Sequence, residues 1–233
     1  MKEYYILSDI HSQYDLLMNA LKKAEFDMEN DNHILIIGGD VLDRGKQGDK
    51  VVRFIETLII KNRVLGVLGN HDVFLLDVVD QTYDMKKIIW NCDKNGFMET
   101  LLLGWNPSKE FLMETKTITK ISETLNKKYP IFLQWLREVP LFLEFPNHVI
   151  VHGFLDFSLE DWHNTSKQFA TWERGFNNHI PENFGRYLIF GHTPNNYINQ
   201  QNDIIRQDKK IMIDGGAASR LQINILRLTE EEI

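Results

Sequence analysis

The chain contains very little cysteine. Cys92 is the one cysteine among 233 residues, so no disulfide can form within the chain. A zinc site built on thiolates is excluded for the same reason, because such sites use several cysteine ligands. Any metal site in this protein must therefore rely on carboxylate, amide and imidazole groups.

Long apolar runs are also missing. No stretch approaches the roughly 20 residues that a membrane-spanning helix needs, and residues 1–5 lack the apolar segment and cleavage site of a signal peptide. The formal net charge is −7, which disfavours non-specific binding of nucleic acid through a basic surface. We therefore expect a cytoplasmic protein with neither a membrane nor a nucleic acid as partner. Nothing in the sequence indicates an obligate protein partner.

The sequence does contain enough apolar material for one sizeable core. Hydrophobic residues make up 43% and charged residues 25% of the chain, which is typical of a globular protein. We interpret residues 1–233 as a single domain. Short apolar runs at residues 4–8, 34–37 and 64–68 alternate with segments of helical spacing. This alternation predicts an α/β fold in which parallel strands are joined by crossover helices.

The pattern changes between about residues 81 and 139, where strand signals vanish and aromatic-rich helical segments take their place. We interpret this stretch as a helical insertion beside the loops that follow the strands. The last strand signal alternates Leu221, Ile223 and Ile225, which predicts a half-exposed antiparallel strand. Strand signals after the insertion lie at residues 141–145, 149–151, 188–190, 211–213 and 221–228.

Residues able to bind metal ions follow several of these apolar runs. In parallel sheets, ligands bind at the carboxyl ends of the strands, so we expect these side chains to converge. Two aspartates, one asparagine and three histidines are enough to hold two divalent cations that share one carboxylate. The groups concerned are Asp9-Ile10-His11, Asp40-Val41-Leu42-Asp43-Arg44, Asn70-His71-Asp72, His152-Gly153 and Gly191-His192.

Each of these groups also has a plainer interpretation. A pair such as Asp9 and His11 is common in surface loops, and an Asp43–Arg44 pair in a solvated turn contributes little to stability. Asn70 is well suited to cap a helix, and a lone histidine after a strand is often a packing residue. The other histidines are interpreted as structural, namely His33, His148, His163 and His179.

The order and combination of the motifs carry more information than any one of them. An aspartate–histidine pair, a GDxxDRG run, GNH followed by an acid, HG and a late GH occur in that order along the chain. This series resembles the calcineurin-like metallophosphoesterases, and more narrowly their phosphoprotein phosphatase branch of bacterial and phage type. Trp172-Glu173-Arg174 is similar to the element that places a second phosphate-binding arginine in those proteins. The resemblance extends over most of the chain.

The resemblance implies a fold and a metal centre. The fold would be a mixed α/β structure, a four-layer α/β/β/α sandwich of two mixed β-sheets flanked by helices, with the helical insertion near the active site. Asp40 would bridge two divalent ions about 3.5–4 Å apart that activate a shared water. Mn²⁺ is the expected metal, with iron or zinc as alternatives. The implied ligands are Asp9 and His11 for one ion, Asn70, His152 and His192 for the other, and Asp40 for both.

The resemblance also implies four catalytic residues, which are His71, Asp43, Arg44 and Arg174. The two arginines would bind the phosphoryl oxygens, since a guanidinium group matches phosphate in bidentate fashion. Asn70 would face the substrate beside them. His71 would protonate the leaving group, and Asp43 would orient this histidine and raise its pKa.

The function implied is metal-dependent hydrolysis of phosphate monoesters, with a phosphorylated protein or a small phosphate ester as substrate. A serine/threonine protein phosphatase is the leading interpretation. The alternative is a symmetrical bis(5′-nucleosyl)-tetraphosphatase, which resembles the first 80 residues but whose family typically lacks the aspartate found here as Asp43. In that alternative, Trp90 or Trp105 could stack on a base instead of packing in the core. A non-catalytic phosphate-binding protein fits less well because the ligand set is complete. A nucleic-acid phosphodiesterase fits less well because the net charge is acidic.

Overall fold

The first sheet is built mainly from the N-terminal strands. A computed structural model, which describes residues 1–106 and 110–233, places them as β1 (Glu3–Leu7), β2 (His33–Ile37), β3 (Val64–Gly66) and β9 (Leu226–Thr229). In space the order is β3–β2–β1–β9. The first three strands are parallel, with Tyr5 opposite Leu35, and β9 is antiparallel to β1. The predicted parallel arrangement is confirmed.

Helices cover the outer face of this sheet. They pack through amphipathic faces, as in α2, where Val51, Ile55 and Leu58 are buried. Four of them occupy the stretch predicted to be helical, of which residues 107–109 lie outside the described residues. The helices are α1 (Tyr14–Lys23), α2 (Gly48–Ile60), α3 (Asn70–Val79), α4 (Met85–Lys94), α5 (Met98–Leu102), α6 (Thr115–Lys128) and α7 (Pro130–Glu138).

The second sheet has its parallel strands at the centre. Its strands are β4 (Phe142–Glu144), β5 (His148–Val151), β6 (Tyr187–Phe190), β7 (Ile205–Gln207) and β8 (Lys210–Met212), in the order β4–β5–β6–β8–β7. The middle three are parallel and the two edge strands antiparallel. On its far side, α8 (Lys167–Trp172) and α9 (Asn196–Asn199) contribute Phe169 and Ile198 to the packing.

The two sheets face each other across a layer of branched aliphatic side chains. Strands such as β2 and β6 are therefore covered on both faces, which explains their uninterrupted apolar sequences. The result is the four-layer sandwich implied by the resemblance. The described part of the chain contains no helix that combines the length and apolar character needed to cross a bilayer. Side chains in the central layer include Ile6, Ile36, Ile150, Ile189 and Ile211.

Two details of the second half differ from the sequence prediction. The last strand begins at Leu226 and not at residue 221. Arg220 has a left-handed φ of 59°, and the amide of Leu221 then bonds to the carbonyl of Gly216 at 3.2 Å. Residues 221–225 therefore pack against a loop instead of extending the sheet, and Leu221 is exposed while Ile223 is buried.

The edge strand β7 was not predicted from the sequence. It pairs with β8 through a tight turn in which Asp208 and Lys209 have φ values of 49° and 62°. Two successive left-handed residues are what a two-residue type I′ hairpin requires. The strand has three residues and begins with its single aliphatic side chain, Ile205, so it lacks a recognisable alternation.

Candidate active site

The loops after the strands bend sharply at the predicted site residues. Asp9, His11, Asp40, Asp43 and His192 all have φ values between 47° and 72°, a region that side-chain-bearing residues rarely adopt. The first two loops are also hydrogen-bonded together, because the amide of Asp9 donates to the carbonyl of Gly39 at 3.0 Å. Such local strain is typical of functional sites.

Two glycines make room for the carboxylates. A Cβ atom on Gly69 would lie 2.2 Å from the Oδ1 atom of Asp40, and one on Gly191 would lie 2.2 Å from the Oδ2 atom of Asp9. Both distances are far below any real contact, so a side chain at either position would displace a carboxylate. The glycines of the GNH and GH motifs are thus explained by close approach to the site.

Asp40 lies at the centre of the converging side chains. Its Oδ2 atom is 3.4 Å from Nε2 of His152, 3.7 Å from Nε2 of His11 and 3.9 Å from Nε2 of His71. These residues form two overlapping groups with metal-binding geometry, His11–Asp40–His71 and Asp40–His152–His192. Asp40 is common to both, as expected of a bridging ligand. The first group includes His71, to which the resemblance assigns catalysis.

Hydrogen bonds fix the orientation of two of the imidazole rings. The Nδ1 atom of His152 donates to the carbonyl of Gly38 at 2.8 Å, and Nδ1 of His11 donates to the carbonyl of Leu42 at 3.1 Å. A carbonyl oxygen only accepts, so in the neutral ring the Nε2 atom carries the lone pair. Metal-binding histidines commonly use this arrangement, with the second ring nitrogen bonded to a carbonyl group.

Several polar side-chain atoms approach one another closely beside Asp40. Nε2 of His152 is 3.1 Å from Oδ1 of Asn70 and 3.2 Å from Nδ1 of His192. The buried Nε2 atom of His192 has no hydrogen-bond partner among the described residues. With both rings neutral, an amide oxygen, two imidazole nitrogens and the Asp40 carboxylate would all offer lone pairs to one cation. The ligands predicted from the sequence thus come together.

The buried carboxylates of Asp9 and Asp40 also favour a bound cation. Burial lowers the pKa of His152, but the carboxylates of Asp40 and Asp9 outweigh it and raise this pKa to about 10. Burial, joined by repulsion from a neighbouring histidine, lowers the pKa of both His11 and His192 to about 3. Burial raises the pKa of Asp9. A divalent ion would compensate these carboxylates while leaving the imidazoles neutral, the form that binds metals.

Asn70 does not cap a helix, which was its plainer interpretation. Helix α3 begins at Asn70, its N-cap is Gly69, and the Asn70 side chain faces His152 instead of a backbone amide. Asp72 performs the capping, because its carboxylate accepts from the amides of Gly69 at 2.9 Å and Asp40 at 2.8 Å. It thereby ties the GNH loop to the GD loop.

Asp43 and His71 form a buried pair next to the metal-binding groups. Nδ1 of His71 and Oδ2 of Asp43 are 2.5 Å apart. Burial lowers the pKa of His71, but the charges of Asp40 and Asp43 outweigh it and raise this pKa. The ring is therefore favoured as a proton carrier, with Nδ1–H directed at Asp43 and Nε2 toward the site.

Thr100 completes this pair and was missed by the sequence reasoning. Its hydroxyl group donates to Oδ1 of Asp43 and accepts from the backbone amide of Asp43 at 3.1 Å. The residue lies on α5, so the helical insertion contributes directly to the site. No motif marks this threonine, and the contact joins residues 57 positions apart.

The two arginines lie at the mouth of a cavity of about 260 Å³ that the metal-binding side chains also line. Arg44 donates to the Asn95 side chain at 3.4 Å, and Arg174 donates to the Thr193 hydroxyl at 3.1 Å. Both are exposed. Trp172 lines the same cavity. The structure thus places two guanidinium groups where an anion entering the cavity would meet them.

These residues define the class of protein. The chain belongs to the calcineurin-like phosphoesterase family, whose sequence pattern matches residues 3–196, and it is therefore a phosphoesterase hydrolase. The family uses a binuclear centre of divalent metal ions, and the two groups around Asp40 fit such a centre.

Individual relatives share part of the sequence or the whole fold. A symmetrical bis(5′-nucleosyl)-tetraphosphatase from Aeromonas hydrophila is 33% identical over 141 residues, which are 60% of this chain and 40% of that protein. A crystal structure described as a candidate diadenosine tetraphosphatase superposes with a TM-score of 0.62 at 17% identity, covering 97% of this chain and 89% of its own. A cold-active protein-tyrosine phosphatase of a psychrophilic Shewanella gives a TM-score of 0.62 at 21% identity, covering 98% and 75%. The structural matches show the fold alone.

Proposed function

We propose that this phosphoesterase hydrolyses symmetrical dinucleoside tetraphosphates. The observation that carries this proposal is the identity of 33% with a protein of that name. This reverses the order of the two interpretations drawn from the sequence, in which a serine/threonine protein phosphatase came first. This chain spans 40% of the length of that relative.

The metal ligands have the roles implied by the resemblance. Asp9 and His11 would hold one divalent ion, Asn70 and two histidines the other, and Asp40 would contact both. When bound, such ions lower the pKa of water and neutralise charge on the phosphoryl group. The buried carboxylates and the imidazoles would hold this pair of ions in place. Mn²⁺ is the metal we propose, because hard and borderline oxygen and nitrogen ligands suit it.

The remaining roles belong to side chains around the cavity. Arg44 and Arg174 bind the non-bridging oxygens of the phosphoryl group that is attacked. His71 gives a proton to the departing oxygen, and Asp43 keeps the ring in the productive orientation through its Nδ1–H. Both arginines line the cavity and are exposed, so their guanidinium groups are accessible to a phosphoryl group that enters it.

Replacing Arg174 with alanine should weaken phosphate binding without emptying the metal site. Loss of a charge-assisted hydrogen bond of about 1.5–3 kcal/mol predicts a KM that is higher by roughly ten-fold or more. Steady-state kinetics and metal analysis of the purified variant measure the two effects. Arg206→Ala removes an exposed arginine from strand β7 and serves as the control. Unchanged KM and kcat in Arg174→Ala would rule out this role.

Replacing Thr100 with valine should slow turnover while leaving metal content intact. The hydroxyl group holds Asp43, and loss of a partner that orients a functional group typically costs about 10–100-fold. We expect the loss in kcat, with KM nearly unchanged, when a phosphoserine peptide is the substrate. Thr100→Ser should restore the rate. If serine fails to restore it, Thr100 supports the site by packing and not by orienting Asp43.

A second candidate function is hydrolysis of phosphate monoesters such as phosphoserine. The Asp43–His71 pair favours it, because an alkoxide leaves readily only after it has received a proton. The nucleotide released from a tetraphosphate is a much weaker base and needs this help less. The pair therefore keeps the protein phosphatase interpretation open as an alternative.

A direct comparison of substrates tests the proposal. Diadenosine tetraphosphate, a phosphoserine peptide and p-nitrophenyl phosphate are assayed side by side with Mn²⁺. We expect the highest kcat/KM for the tetraphosphate, with ADP as the sole nucleotide product. A higher value for the peptide would establish the second candidate instead. No turnover of any substrate by protein that demonstrably holds metal would indicate a binding protein.

A further inference from the structure

A second cavity lies beside the catalytic one. It has a volume of about 410 Å³ and is enclosed by residues of α3, α4 and α8 and the loop after α3. A volume of this size is within the range of small-molecule sites. Trp172 lines both cavities. A ligand that extends from the catalytic cavity past this tryptophan would therefore enter the second one.

The second cavity adjoins the side of the site where His71 lies. The ring of Phe74, which lines the cavity, is 5.4 Å from the ring of His71 and 5.8 Å from that of Trp172, measured between centroids. Since His71 is the group that we propose to protonate the departing oxygen, the cavity lies on the leaving-group side. The part of the substrate that departs is therefore the part placed to occupy it.

The lining of the cavity is largely aromatic, and it also carries two lysines, Lys86 and Lys87, and two carboxylates, Asp77 and Asp84. Phe74, Tyr83, Trp90 and Trp172 contribute rings, and Lys86 and Lys87 contribute amino groups. Flat aromatic walls suit a planar base, because base–aromatic stacking is favourable for every base. The amino groups suit phosphate oxygens.

Trp90 is the least protected of these rings. It is 52% exposed, although the neighbouring Ile88 on α4 is 3% exposed. Trp105, the other candidate for stacking, instead packs against Phe111 with ring centroids 5.4 Å apart and joins the main core. A large aromatic side chain left open at the edge of a cavity is a common anchor for a ligand.

We propose that this cavity binds the nucleoside of the leaving half of the substrate, with its base stacked against Trp90. The inference rests on the proposed hydrolysis of dinucleoside tetraphosphates and adds a site to it. The α-phosphate and β-phosphate of the departing nucleotide then lie between His71 and the amino groups of Lys86 and Lys87. Asp77, which also lines the cavity, is available to accept a hydrogen bond from an amino group on the base.

Trp90→Ala tests the site with Ile89→Ala as a matched control. Both side chains are on α4 and about equally exposed, at 52% and 50%, and of the two only Trp90 lines the cavity. We expect kcat/KM for diadenosine tetraphosphate to fall roughly ten-fold in Trp90→Ala, as loss of one stacked base predicts. Turnover of glycerol 2-phosphate, whose leaving group has neither a base nor an aromatic ring, should be unchanged, and Ile89→Ala should resemble the wild type with both substrates.

A binding measurement adds a readout that does not depend on turnover. ADP added to the wild-type protein should quench part of the tryptophan fluorescence, and this part should be missing in Trp90→Phe. An equal loss of kcat/KM on both substrates in Trp90→Ala, or no loss on either, would overturn the proposed nucleoside site. The proposed hydrolysis of tetraphosphates would still stand. A selective loss with a phosphoserine peptide would also overturn it, because the cavity would then hold a peptide. Failure of the wild type to cleave tetraphosphate would instead refute the proposed function.

Discussion

Asp40→Asn is expected to abolish activity and to release the metal ions. Asp40 is the residue shared by both metal-binding groups, and the amide that replaces it cannot contribute charge to two cations. Loss of a residue that hydrogen-bonds to a metal ligand typically lowers metal affinity about 10–100-fold. Loss of the bridging ligand itself should lower it further. Metal analysis after gel filtration and turnover of p-nitrophenyl phosphate measure the two effects.

The asparagine should preserve the fold. Its shape matches aspartate, and the oxygen can still accept from the amide of His71, which is 3.0 Å from Oδ1 of Asp40. Asp31→Asn is the control, because that carboxylate is 99% exposed and does not line the cavity. A cooperative thermal transition in EDTA for all three proteins would show that the fold is preserved. Full metal content in Asp40→Asn would contradict the assignment of a bridging ligand.

His71→Asn is expected to slow the hydrolysis of substrates in proportion to how poor their leaving group is. Removal of a general acid costs about 10²–10⁴-fold when the departing oxygen needs a proton. We therefore expect a large loss in kcat for a phosphoserine peptide and a small one for p-nitrophenyl phosphate, whose phenolate departs more easily. Metal content must be measured in parallel, because Nε2 of His71 is 3.9 Å from the Asp40 carboxylate.

The loss of kcat that His71→Asn causes with diadenosine tetraphosphate distinguishes two roles of His71. A small loss indicates that the nucleotide leaves without help and that His71 mainly orients the substrate. A loss as large as that on the peptide indicates proton transfer in both reactions. An equal loss on all substrates, including p-nitrophenyl phosphate, would contradict the role of His71 as a general acid.

The sequence predicts β1 and β2 well because both strands are buried on both faces. Uninterrupted apolar runs and following helices are strong signals, and they place β1, β2 and β3 in parallel. The prediction fails where tertiary packing decides. The left-handed Arg220 and the contacts of Leu221 with the preceding loop shorten β9, and neither can be seen in a pattern of apolar residues.

The candidate site also has a part that the sequence predicts and a part that depends on tertiary packing. Loops at the carboxyl ends of neighbouring strands were expected to meet, and Asp40 does lie within 3.4 Å of His152, which is more than 100 positions away. Thr100 could not be assigned from the sequence, and the sequence could not choose between Trp90 and Trp105 as the residue that would stack on a base. Their roles depend on how the helices of the insertion pack beside the strands, and threonine and tryptophan carry no spacing that marks such a position.

The central claim is that Asp40 joins two metal ions in this protein. Anomalous diffraction from crystals soaked in Mn²⁺ tests it most directly, because each ion gives its own peak. The account predicts two peaks on opposite sides of the Asp40 carboxylate, one next to His11 and the other next to His152. A single peak, or none at Asp40 in protein that turns over substrate, would contradict it.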